Sequence, residues 1–315
     1  MNLFPGAEAH SITHHHLLGV LATEAARRGW DAGRPLRVLD MGCGSGSLMA
    51  FLHAGAACLD PPLRLEIYGF DVDDSRVQRE DFLRATRAFL ETRHPGTDWA
   101  GRLRLVSSGE DWPYPQASFD AVVSNQVMEH VRDHGRVLAN VARVMRADGF
   151  SAHVFPLASS WMEWHLKIPF AHWIRNGDVL EAYIRSASWL GLGTWRRYCR
   201  EVAPVPLDEF ARMNRDFVAF ETHYLDEAQF AQLAALAGLR YSLRYTDDFY
   251  ANRVRKALGR AMRYRFAPRS QFWHRLRMVA CKRASSICLV LEMDNTYENR
   301  GFHTPGEARP TPVAR

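Results

Sequence analysis

Three glycines at alternate positions, Gly42, Gly44 and Gly46, follow an apolar run and an acid in the stretch Val38-Leu39-Asp40-Met41-Gly42-Cys43-Gly44-Ser45-Gly46-Ser47. Residues without a Cβ let the main chain turn sharply and let a ligand approach it closely. The next run, Leu48 to His53, can be helical, and the amides of a helix start point toward such a ligand. Strand, tight loop and helix in this order form the first half of a βαβ unit. A second acid, Asp71, ends the apolar run Leu63 to Phe70, and its two oxygens can accept both hydroxyls of a ribose. Farther along, Glu129-His130 lies within Val127-Met128-Glu129-His130-Val131. Glu163, His165 and His172 lie in a stretch dense in aromatic and ionisable groups. Imidazoles and carboxylates are the side chains that most often move protons at a reacting centre.

A glycine-rich loop alone does not select its ligand. The dinucleotide fingerprint has a third glycine five residues after its first, where this chain has Ser47. It does not require an acid two residues before the first glycine, where this chain has Asp40. The pattern (V/L)-L-D-x-G-C-G-S-G resembles motif I of the class I S-adenosylmethionine methyltransferases. Ser107-Ser108-Gly109-Glu110-Asp111-Trp112-Pro113-Tyr114 and Ser118 to Asn125 are similar to that family's adenine-binding loop and fourth strand, and Val127 to Val131 is similar to its V-L-E-H-V segment. The resemblance covers most of residues 36–155 and, more loosely, 224–293. It is closest to the broad type 11-like group acting on small molecules.

The resemblance implies an α/β fold of the class I methyltransferase (Rossmann-like) kind: a seven-stranded sheet, parallel except for the last strand, with helices on both faces and helical insertions forming a cap. It implies S-adenosylmethionine as methyl donor. Asp40, Gly42, Gly44 and Gly46 would hold its amino-acid portion and Asp71 its ribose, with helix capping as the competing role for Asp71. Ser108, Gly109 and Glu110 would face the adenine, although the family's usual Asp is replaced by Ser108. Asn125 and Gln126 would lie beside the reacting methyl. Trp112 either packs on the base or belongs to the core. The implied reaction methylates a small-molecule, glycan or lipid-linked acceptor at a hydroxyl. His130 is the first candidate for a base, followed by Glu163, His165 and His172, against a purely structural role for each. The alternatives are a non-catalytic SAM-fold binding or scaffolding protein and a nicotinamide oxidoreductase.

The elements that must position these residues follow in order. Ser11 to Arg28 reads as a leading helix with Leu17, Leu18, Leu21 and Ala25 near one face. His10 or His14 could line the donor pocket, with a packing role as the alternative. Strands are expected at 36–39, 63–70, 102–106, near 119–125 and at 150–155, alternating with helices, which implies a parallel sheet. Gly149 is expected to end the helix carrying Val137, Leu138, Val141, Val144 and Met145. Residues 1–156 thus form the first part of a donor-binding core. Residues 157–223, rich in aromatics, form a helical substrate cap. Residues 224–293 complete the core: a helix capped by Asp226 with Phe230, Leu233 and Leu236 inward, then strands at 239–245 and 286–293. An insertion at 251–284 interrupts this part, and 294–315 reads as a disordered tail.

Composition narrows the class. Apolar residues make up 47% of 315, enough for a sizeable core. The five cysteines are scattered with no C-x-x-C pair, which argues for free thiols and against a zinc site of that type. His14, His15 and His16 are consecutive and diverge on a helix, so no metal site is read there. The net charge of +5 is unevenly placed: residues 252–283 hold eleven Lys/Arg and no acid. Interleaved Leu258, Met262, Phe266, Phe272 and Leu276 suggest peripheral contact with an anionic membrane, against a solvated helical face. No nucleic-acid motif accompanies the charge, so no nucleic-acid partner is expected. With no signal peptide or spanning segment visible, a cytoplasmic protein is expected, with the membrane surface as the further option.

Overall fold

The computed structural model describes residues 11–30, 33–72, 80–107, 109–267 and 271–294. The first half of the chain alternates strand and helix. Its elements are α1 (Ile12–Arg28), β1 (Leu36–Met41), α2 (Ser47–Ala57), β2 (Leu65–Val72), α3 (Glu80–Arg93), the short α4 (Trp99–Arg102), β3 (Leu103–Val106), β4 (Phe119–Asn125), α5 (His134–Val144) and β5 (Met145–Pro156). An insertion follows, with the hairpin β6 (Met162–Glu163) and β7 (Ile168–Pro169) and the helices α6 (Gly177–Trp189), α7 (Trp195–Glu201) and α8 (Leu207–Phe220). The chain then adds α9 (Glu227–Leu236), β8 (Leu239–Ser242), α10 (Thr246–Ala257), α11 (Gln271–Ala284) and β9 (Ser286–Met293).

The seven long strands form one sheet in the order β3-β2-β1-β4-β5-β9-β8. β1 pairs in parallel with both β2 and β4, and β4 with β5, whereas β9 runs antiparallel to both β5 and β8. This is the sheet that the resemblance implies, with the last strand alone reversed. β4 is buried along almost its whole length, as a parallel strand covered on both faces must be. One apolar cluster joins α1 and α2 to one face through Leu17, Leu21, Met49 and Phe51. A second joins α5 and α9 to the other through Leu138, Val141 and Phe230. The strand order reverses between β1 and β4, and in sheets of this type ligands bind beyond the carboxyl ends of the strands at that point.

The insertion has an apolar cluster of its own, in which Leu180 and Ile184 of α6 meet Phe210, Ala211 and Val218 of α8. Leu166, Ile168 and Ala171 from the hairpin region join them. A two-stranded hairpin of this length is not stable alone, and the helices supply the surface that holds it.

Three local expectations are corrected. α5 ends at Val144, because the amides of Ala117 and Ser118 capture the carbonyls of Arg143 and Val144 and the chain leaves directly into β5. Gly149 is therefore a strand residue; a Cβ there would lie 2.9 Å from the Asp120 carbonyl oxygen, a close approach that requires glycine. Leu236 is exposed, since Phe230 and Ala234 define the buried face of α9. The strand expected to reach Tyr245 stops at Ser242, where the chain turns into α10. The capping box expected at Asp226 and Gln229 is present. The tail from 295 onward and His10 lie outside the described residues.

One charged cluster locks α1 to the sheet edge. Buried Glu24 accepts hydrogen bonds from Arg27 at 2.7 Å, Arg28 at 3.0 Å, Arg244 at 2.8 Å and the Tyr245 hydroxyl. Arg244 also donates to Glu292 of β9 at 2.7 Å. Burial alone would raise the pKa of Glu292, but the hydrogen bond and charge of Arg244, with Arg27 and Arg28, outweigh it and hold the carboxyl at about 2. Glu24 is likewise lowered, its burial outweighed by Arg27, Arg244 and Tyr245. Because these folded-state values lie below the unfolded value of 4.5, the stabilisation is complete above that pH and lost as the pH falls toward about 2. Glu24→Ala is expected to cost about 3 kcal/mol near neutrality in urea unfolding, and to flatten the loss of stability across this acid window.

Candidate active site

The glycine loop leaves β1 at Gly42, and its first two amides, from Gly42 and Cys43, donate to the Phe70 carbonyl of β2 at 2.9 and 3.0 Å. The turn needs the left-handed region at Gly42, where φ is 69°, and at Gly44, where φ is 51°. The two positions differ in surroundings. A Cβ on Gly42 would lie 2.6 Å from Cγ2 of Val127, whereas one on Gly44 would have nothing within 4 Å. Gly42 is thus a packing glycine under the β4 loop, and Gly44 opens onto free space. Gly46 is the N-cap of α2 and packs toward Thr86 and Leu90.

Two acids flank this loop. Asp71 accepts from the Gly44 amide at 2.7 Å and from the Val72 amide at 2.8 Å. These bonds fix its carboxylate at the edge of the loop and leave each oxygen a further lone pair. Asp40 is 1% exposed, and its Oδ2 has no hydrogen-bond partner among the described residues. Burial, and then the charge of Asp71, push the Asp40 carboxyl well above the usual carboxylate range. Burial also raises Asp71, against the hydrogen bonds from Gly44 and Val72. Oδ1 of Asn125, at the end of β4, is a second buried oxygen without a partner among the described residues. Buried oxygens with no partner among the described residues, beside an open glycine backbone, fit a ligand rich in hydroxyl and ammonium donors, and S-adenosylmethionine is one.

The remaining expected donor-site residues are less uniform. The Gln126 side-chain amide donates to the Val154 carbonyl at 3.2 Å and to Ser286 at 3.0 Å, so it ties β4 to β5 and β9 and does not offer its NH₂ to the cleft. Gly109 and Glu110 are exposed in the loop after β3, and Ser108 lies outside the described residues. Trp112 is a core residue, with its ring centroid 4.8 Å from that of Phe70. Its backbone amide is taken by Asn140, which sequence reasoning had no means to pair with it.

The acidic and imidazole groups meet at the other side of the β4 end. Glu129 and His130 sit on a 3₁₀ turn (Met128–His130), and the hairpin of the insertion brings Glu163 and His165 against them. The rings of His130 and His165 stand edge to face with centroids 5.0 Å apart. Nδ1 of His130 is 2.7 Å from the Glu221 carbonyl oxygen, and Nδ1 of His165 is 2.7 Å from Glu163 Oε1. Glu163 is fully buried and also accepts from the Leu166 amide at 2.6 Å and the Tyr224 hydroxyl at 2.9 Å. Burial would raise its pKa, but the hydrogen bond and charge of His165 overcome that and hold it low. Burial disfavours the His165 cation, yet Glu163 raises that imidazole above its ordinary value. Glu163, one of the residues expected as a base, is enclosed by three partners: the His165 ring, the Leu166 amide and the Tyr224 hydroxyl. Burial pushes Glu129 up to about 7, and neither of its oxygens has a hydrogen-bond partner among the described residues. His172 stands one layer back, with its ring 4.9 Å from that of Tyr224.

Residues 13–242 match a methyltransferase domain family. The chain belongs to that family. The sheet order is the one that the resemblance implies. Among curated proteins, the ubiquinone biosynthesis O-methyltransferase of Bradyrhizobium sp. (strain ORS 278) is 27% identical over 183 residues, covering 57% of this chain and 58% of that one. The 27-O-demethylrifamycin SV methyltransferase of Amycolatopsis mediterranei (strain S699) is 29% identical over 36% of each chain. The chain therefore spans a little over half the length of the ubiquinone-pathway relative. Among solved structures, PKMT2 from Rickettsia typhi in complex with AdoHcy is 13% identical, covers 90% of this chain and 54% of that one, and has a TM-score of 0.48. An S-adenosylmethionine-dependent methyltransferase from Mesorhizobium loti is 16% identical over 85% of this chain and 95% of that one, with a TM-score of 0.42.

The two glycines separate in a stability measurement. Gly42→Ala adds a steric conflict with Val127 to the left-handed backbone and is expected to cost about 2–4 kcal/mol. Gly44→Ala carries the backbone term alone, about 1 kcal/mol. Equal losses in denaturant unfolding would contradict the packing difference described for the loop.

Proposed function

We propose that this protein is an S-adenosylmethionine-dependent O-methyltransferase whose acceptor is a hydroxyl on a small molecule. The observation that carries the reading is the open backbone at Gly44 between two buried acids, one with an unanswered oxygen. The glycine loop and Asp40 hold the amino-acid end of the donor, and Asp71 takes the ribose hydroxyls on its remaining lone pairs. Asn125 Oδ1 lies beside the place of reaction. The bound donor supplies an electrophilic methyl on a sulfonium, so the protein's own task is to align, desolvate and activate the acceptor.

Activation of the hydroxyl belongs to Glu129, His130 and His165, with Glu163 and Tyr224 positioning His165. These groups come from both the core and the insertion, so residues 157–223 act as a cap over the acceptor. The names of the curated relatives describe O-methylations, which favours oxygen over nitrogen or carbon as the nucleophile. A glycan or lipid-linked hydroxyl is the finer form of this reading. It draws on exposed Leu258, Phe272 and Leu276 in the basic stretch 252–283, a surface that suits an anionic membrane. No helix among the described residues is long and apolar enough to cross a membrane. Salt-sensitive sedimentation with anionic liposomes is expected, and its absence would remove the membrane part alone.

S-adenosylhomocysteine is expected to bind with saturation in calorimetry. Asp71→Ala and Gly44→Ala should each weaken it by about 10-fold or more, a loss of about 1.4 kcal/mol. Transfer of labelled methyl from the donor into an extract, followed by mass spectrometry of the product, identifies the acceptor. A protein that binds the donor yet labels nothing would favour a scaffolding role, and one that quenches NADH fluorescence on titration would favour a nicotinamide site.

A further inference from the structure

The structure assigns a divalent-cation site to Glu129, His130 and His165, with affinity for a borderline transition ion such as Zn²⁺. One ligand atom from each of the three residues lies within 4.8 Å of the others. Bound to one ion at about 2.0–2.1 Å, tetrahedral ligands stand about 3.4 Å apart, so a modest contraction of side chains closes the site.

The hydrogen bonds around the two histidines select this use. A carbonyl oxygen only accepts, so Nδ1 of His130 carries a proton and donates it to Glu221. Glu163 is enclosed by donors, so Nδ1 of His165 does the same toward it. In the neutral rings, Nε2 is left with a lone pair on both. The third member, Glu129, brings a carboxylate whose oxygens are buried and accept nothing among the described residues. The fold thus brings one ligand atom from each of two imidazoles and a carboxylate within reach of a single ion, and a cation satisfies all three at once. The chain Tyr224–Glu163–His165 is the outer support that metal-bound histidines usually have: a carboxylate on the far ring nitrogen, itself held by a further hydrogen bond. Two imidazoles and a carboxylate favour Zn²⁺, Fe²⁺ or Mn²⁺ over Mg²⁺ or Ca²⁺, which prefer all-oxygen shells.

Three protein ligands leave positions open, as in catalytic rather than structural sites. His165 is about a quarter exposed, so the open side is accessible. The chemistry assigned to the ion rests on the O-methylation reading, whereas the binding does not. The acceptor hydroxyl occupies an open position and loses its proton to solvent water, made acidic by the ion. Its oxygen then forms the C–O bond as the methyl's C–S bond breaks, and sulfur keeps that electron pair as a neutral thioether. The ion also joins the 3₁₀ turn of the core to the hairpin of the insertion, so its binding draws the two together.

The test uses the full, tag-free chain stripped with a chelator and dialysed. Zn²⁺ alone is titrated by calorimetry, Co²⁺ alone by visible absorption, and S-adenosylhomocysteine is titrated into the same preparations. One equivalent of Zn²⁺ and a ligand-field spectrum for Co²⁺ are expected. His165→Ala and Glu129→Gln should each weaken Zn²⁺ by at least about 10-fold while S-adenosylhomocysteine affinity stays within about 2-fold. Should His165→Ala fail to fold, Glu129→Gln, nearly isosteric, carries the test. No saturable uptake, or uptake unchanged in a folded variant, would overturn the site. Zn²⁺ uptake without S-adenosylhomocysteine binding would support the ion site and sink the methyl-transfer reading. The reverse pattern would sink the ion site and leave methyl transfer standing.

Discussion

Two carboxylates held out of water beside a bare stretch of main chain set the terms for this protein. Asp71 is anchored by the Gly44 and Val72 amides, and Asp40 is buried behind the same loop with an oxygen that has no partner among the described residues. Burial raises the pKa of both, and the charge of Asp71 adds to the rise at Asp40, an arrangement that a bound group offering hydroxyl and ammonium donors relieves. The parallel sheet exists around this constraint. Pairing of β1 with both β2 and β4 brings Asp40, Asp71 and Asn125 to one edge. The switch in strand order leaves the crevice there uncovered.

The insertion is built by a different device. The insertion does not extend the sheet but carries its own apolar cluster, which makes its hairpin rigid enough to present His165. Glu163 lies at the base of that hairpin and is the point where the insertion's hydrogen bonds meet: the His165 ring, the Leu166 amide and the Tyr224 hydroxyl. The Glu221 carbonyl, just beyond α8, orients His130 on the core side. The glycine loop and the imidazole cluster therefore depend on separate packing units that meet at the 3₁₀ turn after β4. Loss of the insertion's core would be felt at the imidazoles before it reached the glycine loop.

Much of this was legible in the chain, and the illegible part has a physical pattern. Local signals worked where structure is local: the strand and turn at Asp40 and the alternate glycines, the strand that carries Asp71, the capping box at Asp226 and the span of β9. They failed where a distant backbone decides. Gly149 reads as a helix stop, but its need for glycine comes from the Asp120 carbonyl on the neighbouring strand. Gln126 reads as a cleft residue, yet its amide is drawn to Ser286, far along the chain. Glu129, Tyr224 and the Glu221 carbonyl gave no sign of convergence on His130 and His165, because no spacing rule links segments joined only through a folded insertion.

The central claim is that the loop around Gly44, with Asp40 and Asp71, is the seat of the methyl donor. A crystal structure of the protein grown with S-adenosylhomocysteine tests it most directly. The account predicts both ribose hydroxyls on the Asp71 carboxylate and the amino-acid end against the Gly44 backbone on the side of Asp40. The nucleoside bound elsewhere, or a cleft from which it is absent at saturating concentration, would contradict it.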